Sequence, residues 1–213
     1  KLDIATQTLQ LYPRPKGAPG FHNGKVVDPQ GYVWGTQQNG AHRINPDTGE
    51  WKEFKALTPY GRPYDMTIDR EGKVWYAQIA VDKVAVIDSQ TGEASEVALT
   101  PFEAPEIRPE DIAIGKASGA WTMNAPLYQK GPRRMSADPN GDFVWVGEYW
   151  VGRIAKIDIH TRKVVAEYTI PEGRFGHPYK IVVDKNHMVW FALANEDRFG
   201  KFNPFTEKFT LYP

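Results

Sequence analysis

One short phrase recurs along this chain and restricts what it can fold into. DPQGYVW (28–34), DREGKVW (69–75), DPNGDFVW (138–145) and DKNHMVW (184–190) each set an aspartate turn before an apolar run ending in tryptophan. A second phrase alternates with the first: DIATQT (3–8), NPDTGE (45–50), DSQTGE (88–93), DIHTRK (158–163) and NPFTEK (203–208). In the copy from Asp69 to Glu93, Asp69–Gly72 reads as an Asx-type turn, with glycine where a positive φ is needed. Val74–Gln78 is then a strand, Lys83–Asp88 its antiparallel partner, and 88–93 a turn into a further strand. A unit this small cannot bury its faces alone, so copies must stack on one another.

The spacing identifies the stack. Trp34 to Trp75 is 41 residues, Trp145 to Trp190 is 45, and Trp75 to Trp145 is 70, one period plus an insertion. A repeat of about 40–45 residues carrying four short strands is the mark of a β-propeller blade. The expected fold is therefore all-β, with four-stranded antiparallel blades packed through Trp34, Trp75, Trp145 and Trp190. Residues 1–13 match the end of a blade, 14–57 and 58–99 are whole blades, and 100–131 is an insertion on the rim. Residues 132–170 and 171–213 are two more blades. About four and a half blades do not close a ring, and an open arc exposes sheet edges. The expectation is that about two and a half further blades complete it, from a longer polypeptide or from a partner chain.

Composition removes several function classes. Charge is balanced, with 26 basic and 26 acidic residues, and no basic patch is interleaved with aromatics, so nucleic-acid binding is not expected. No apolar run approaches the ~20 residues of a membrane-spanning helix, so membrane insertion is not expected either. The sequence has no cysteine, which excludes disulfides, thiol catalysis and cysteine-ligated metal. Phosphate-loop, nucleophile-elbow, His-x-x-x-His and EF-hand patterns are missing from the sequence.

The repeat also sorts the loops by face. In a propeller the loop between a blade's second and third strands shares a rim with the link to the next blade. That rim collects Gln38-Asn39-Gly40, Ala80-Val81-Asp82, Tyr149-Trp150-Val151 and Asn195-Glu196-Asp197, with the links and the insertion carrying Trp121, Met123 and Tyr128. Glu148-Tyr149-Trp150 departs from the other copies: two adjacent aromatics beside an acid suit a stacking platform, or packing beneath the insertion. Arg133-Arg134 can grip an anion bidentately or be neutralised by nearby acids. His177, between Gly176 and Pro178, is a rim donor, a metal ligand or a solvated loop residue. Asp69 and Asp138 are read as turn formers, and His42, His160 and His187 as structural.

The pattern of proline, aromatic or histidine, strand, D-x-x-G-x-V-W and then R/K-I-D-x-x-T-G-E resembles the streptogramin B lyase (virginiamycin B lyase) propellers. It covers nearly the whole chain outside the insertion. The resemblance implies a ring of about seven blades. It also implies a magnesium-dependent carbon–oxygen elimination that opens an ester-closed peptide with a histidine base. In that family the histidines follow the proline that opens an inner strand. The matching residues here are Asn23, Tyr64, Arg133 and Tyr179, with His22 and His177 one position earlier. Acidic residues of the family close its W-F-T-E strands, and the matches are Gln37, Gln78, Glu148 and Leu193, of which Glu148 alone is acidic.

Three readings follow. The first is a non-catalytic propeller that binds a small molecule, a peptide or a partner chain through Tyr64, Arg133, Glu148, Tyr149, Trp150, His177 and Tyr179, without a metal. The second is a lyase in which Glu148 and His177 serve catalysis near bound Mg²⁺. The third is a subunit of an extracytoplasmic assembly whose partner chain completes the propeller. The expected location is the periplasm of a bacterial cell or its exterior.

Overall fold

A computed structural model describes residues 1–18, 20, 22–101, 130–173, 176–194 and 196–213. Most of the 100–131 insertion, with Trp121, Met123 and Tyr128, lies outside them, as does Asn195. The chain is an all-β propeller arc of four antiparallel four-stranded sheets and one two-stranded hairpin. The hairpin is β1 (Leu2–Asp3) with β2 (Thr8–Leu9). The first full blade is β3 (Lys25–Val27), β4 (Val33–Gln37), β5 (Gly40–Ile44) and β6 (Trp51–Lys55). The second is β7 (Pro63–Ile68), β8 (Val74–Gln78), β9 (Lys83–Ile87) and β10 (Ala94–Ala98). The third is β11 (Pro132–Ala137), β12 (Phe143–Glu148), β13 (Arg153–Asp158) and β14 (Lys163–Thr169). The last is β15 (Pro178–Val183), β16 (Val189–Leu193), β17 (Phe199–Asn203) and β18 (Lys208–Tyr212). Strands neighbour one another in sequence order in every blade, so each blade is a meander.

Both repeated phrases make their turns by the same chemistry. Asp69 Oδ1 accepts the backbone N–H groups of Glu71 and Lys73, each at 2.9 Å, while Gly72 holds φ +82°. The other oxygen, Oδ2, accepts the indole N–H of Trp75 at 2.7 Å. Asp28 and Trp34 repeat this at 2.7 Å, and Asp184 and Trp190 at 2.8 Å. One carboxylate thus closes the turn and satisfies the single polar atom of a core tryptophan six residues on. The third copy is one residue longer, and there Asp138 Oδ2 bonds His187 of the next blade at 2.7 Å. In the second phrase Asp3, Asn45, Asp88, Asp158 and Asn203 each accept two backbone N–H groups through Oδ1.

The core lies between blades. Trp34 packs with Met66, Tyr76 and Ala85, joining the first and second blades. Trp75 packs with Met135, Val144 and Ile157, joining the second and third. Trp145 packs with Ile181, Phe191 and Phe202, joining the third and fourth. These three indoles are 0–1% exposed. Trp190 differs from the expectation: it is half-buried, and among the described residues its ring contacts lie within its own blade, on Phe199 and Tyr212. It occupies the core position of a repeat whose next face is uncovered. Phe199 (44% exposed) and Val182 (46%) share that end. At the other end the hairpin is held to the first blade by Lys1–Asp47 at 3.2 Å and by Tyr12 donating to the Pro46 carbonyl.

Candidate functional site

Three neighbouring inner strands begin the same way. Pro63, Pro132 and Pro178 pair with Gln78, Glu148 and Leu193; the next paired residues are Met66, Met135 and Ile181, opposite Tyr76, Val146 and Phe191. Each inner strand therefore advances three residues while its partner advances two, which is a β-bulge. The extra length turns Tyr64-Asp65, Arg133-Arg134 and Tyr179-Lys180 out of the regular alternation. Proline suits the first place because it has no N–H to contribute to a ladder.

These bulges and the adjoining loops build one nest. The Arg133 guanidinium carbon lies 4.2 Å from the Tyr149 ring centre, 5.0 Å from Tyr64, 5.4 Å from Tyr179 and 5.5 Å from Trp150. Tyr149 stacks on His177 with ring centres 4.6 Å apart and planes 21° apart, and meets Trp150 edge-on at 4.5 Å. The hydroxyls of Tyr64 and Tyr179 are 2.8 Å apart. Arg134 donates to Asp65 and to the Tyr179 hydroxyl, each at 3.3 Å. Asp65 also faces Lys180 at 3.6 Å and accepts the N–H of Met135 at 3.4 Å. Arg134 first, then Tyr64, hydrogen-bonds Tyr179 and holds its phenol below the ordinary tyrosine value. Burial first, then the bond to Tyr179, pushes Tyr64 up. Of the two, Tyr179 is the more acidic.

Six of the residues singled out from the sequence, Tyr64, Arg133, Tyr149, Trp150, His177 and Tyr179, meet in this nest. Glu148 does not join them in contact. It is 0% exposed and faces Lys130 at 3.2 Å. Lys130, itself 0% exposed, also reaches Glu167 at 2.6 Å and Thr100 at 2.8 Å. Burial drives the Glu148 carboxyl up to about 8, against the pull of Lys130 and with the push of Glu167. The matching strand-end residues explain the placement. Gln37 bonds Glu53 at 2.8 Å and Gln78 bonds Glu96 at 2.9 Å. Around Glu96, Thr58 and Lys83 take the places that Thr100 and Lys130 take around Glu167. Glu148 is thus the third blade's member of a repeated polar seam, its carboxyl pushed up by burial at the strand end where the first two blades carry an amide.

Sequence reasoning passed over Asp65, Arg134 as a partner of Tyr179, Lys180 and Lys130. The first three stand one place beyond the post-proline residue in every bulge, which is a readable signal. Lys130 has none, because it belongs to the insertion and to no repeat.

No family model matches the chain, and no curated protein matches it by sequence. Solved structures match its fold. A streptogramin B lyase structure superposes with a TM-score of 0.73 at 21% identity, covering 94% of this chain and 57% of that one. Virginiamycin B lyase from Staphylococcus aureus gives 0.70 at 20% identity, with the same coverage. The extracellular domain of a candidate one-component system from B. thetaiotaomicron gives 0.65 at 17% identity, covering 95% of this chain and 27% of that one. The chain has a streptogramin-lyase-like propeller fold. It spans a little over half the length of the lyases it matches.

Proposed function

We propose that this chain is the ligand-binding arc of a larger propeller, and that the nest around Arg133 is its site. The observation that carries this reading is the convergence of three bulged inner strands on one guanidinium faced by four aromatic rings. Bulges recur where a fold re-aims side chains for function. Partly exposed aromatics with a few fixed polar groups are what a small-molecule site requires. Binding is favoured over elimination because the groups a lyase would use are committed elsewhere. Glu148 is buried on Lys130, and His177 is stacked against Tyr149. The donors also suit Mg²⁺ poorly: among the described residues the nest holds Arg133, Arg134 and Lys180 against the single carboxylate of Asp65, which already faces two of them.

The free blade faces favour a companion reading, in which further blades cover Trp190, Phe199 and Val182. These blades would come from the same polypeptide or from a partner chain, and the resemblance implies a total near seven. The extracellular neighbour supports a place in the periplasm or outside the cell. Among the described residues no helix is long and apolar enough to cross a membrane.

The test is an NMR map of the full chain titrated with neutral aromatic probes, benzamide and indole. Shifts should concentrate on Tyr64, Tyr149, Trp150 and Tyr179, and Trp150→Ala should abolish them. Shifts confined to other surfaces, or none, would refute the reading.

A further inference from the structure

We infer that the nest selects ligands bearing a carboxylate on a planar apolar body, with Arg133 as the group that reads the charge. This rests on, and deepens, the reading of the nest as the binding site. The argument turns on the contrast between two adjacent arginines. Arg134 is neutralised: Asp65 accepts one side of its fork and the Tyr179 hydroxyl another, both at 3.3 Å. Arg133 has four ring faces within 5.5 Å, but among the described residues no carboxylate pairs with it. The Nε of each arginine is buried without a hydrogen-bond partner among the described residues, so the contrast lies in the carboxylate that Arg134 has and Arg133 lacks.

Aromatic faces attract a guanidinium through their quadrupoles, yet they neither cancel its charge nor accept its five N–H donors. A nest built this way leaves one electrostatic demand open. Asp65 cannot meet it, being 4% exposed and engaged by Arg134, Lys180 and the Met135 N–H. Among the described residues three cations stand against one carboxylate and leave the nest net positive, so an anion is the complement that fits. The geometry also narrows the kind of anion. Arginine's flat fork matches two coplanar acceptor oxygens. Trp150, half-exposed and edge-on to Tyr149, offers a wall along which a planar body continues from the carboxylate.

The experiment titrates the full chain with benzoate, benzamide and inorganic phosphate, following the nest by NMR and affinity by calorimetry. Benzoate should bind at least tenfold more tightly than its neutral isostere benzamide, and phosphate should not displace it at equal concentration. Arg133→Gln should remove the benzoate preference while benzamide still shifts Trp150, which shows that the nest remains folded. Arg133→Lys keeps the charge without the fork and should lose benzoate affinity several-fold. Equal binding of benzoate and benzamide at the nest would overturn the inference and leave the binding site standing. So would phosphate competing as an equal, or Arg133→Gln retaining the preference. If none of the probes moves the nest, both the inference and the reading beneath it fail.

Discussion

Replacing Glu148 with glutamine should make this protein more stable at alkaline pH. In the fold the carboxyl titrates near 8, against an ordinary value of 4.5. Between those values the folded chain keeps a proton that the unfolded chain releases, so stability falls as pH rises through the window. The whole span amounts to roughly 5 kcal/mol at about 1.4 kcal/mol per pH unit. Part of it is masked. His42, 2% exposed, is pushed down to about 4 by burial, so it resists a proton that the unfolded chain accepts. Its contribution is present above the unfolded value of 6.5 and is lost as pH falls toward 4, the opposite slope. Glu167 is held below its ordinary value, and its contribution is likewise lost only in acid. The clean interval for Glu148 is therefore pH 6.5 to 8, worth about 2 kcal/mol, or ~4–8 °C in Tm for a chain of this size.

Glutamine fits the site because the structure already uses it there: Gln37 and Gln78 occupy the same strand end and bond Glu53 and Glu96. In Glu148→Gln the amide can donate to Glu167 while Lys130 keeps its bond to that carboxylate. Urea unfolding followed by tryptophan fluorescence at pH 6.5, 7, 7.5, 8 and 9 reads the effect. The wild type should weaken steadily from pH 6.5 to 8, and the variant should stay level and exceed it at pH 9. A flat wild-type profile would refute the protonated state. A variant weaker than wild type by more than ~1 kcal/mol at pH 9 would show that Glu148 acts there as a charged partner of Lys130.

Other perturbations separate core from edge. Trp75→Ala removes a fully buried inter-blade indole and should cost about 3–5 kcal/mol in urea unfolding, whereas Trp190→Ala, on the uncovered face, should cost about half as much or less. Asp69→Ala strips three hydrogen bonds from one turn and should cost about 2–4 kcal/mol, much of it from the unpaired Trp75 indole. A chain that packs a further blade on the last one should shield Trp190 and blue-shift its fluorescence; an unchanged spectrum in a stable complex would place the contact elsewhere.

Much of the fold was legible because its turns are written in residues with one job each. An aspartate or asparagine that receives two backbone N–H groups, followed by glycine or its stand-in, reads alike in nearly every copy, Asp138 with one such bond being the exception. The pairing of Asp28, Asp69 and Asp184 with tryptophans six residues on was equally visible as a spacing, though its reason needed the second carboxylate oxygen. Periodicity failed where neighbours differ and not where residues differ. Trp190 carries the same phrase as Trp75, but burial depends on the next blade. Glu148 shows a related limit: the sequence placed it in the column with Gln37 and Gln78, but its burial against Lys130 depends on a residue that belongs to no repeat.

The same column logic explains why the nest stands where it does. A propeller fixes nearly every strand residue by packing on two adjacent blades, which leaves few positions free to vary. The bulge after the opening proline is one of them, since Tyr64-Asp65, Arg133-Arg134 and Tyr179-Lys180 all lie where the ladder skips a residue. Substitution there costs the sheet little and changes the mouth of the channel directly. In the lyase-like propellers that this chain resembles, the post-proline place is where histidine is expected, and here it holds tyrosine, arginine and tyrosine. On the reading proposed above, the scaffold is kept while these post-proline positions carry groups suited to recognising charge in place of histidine.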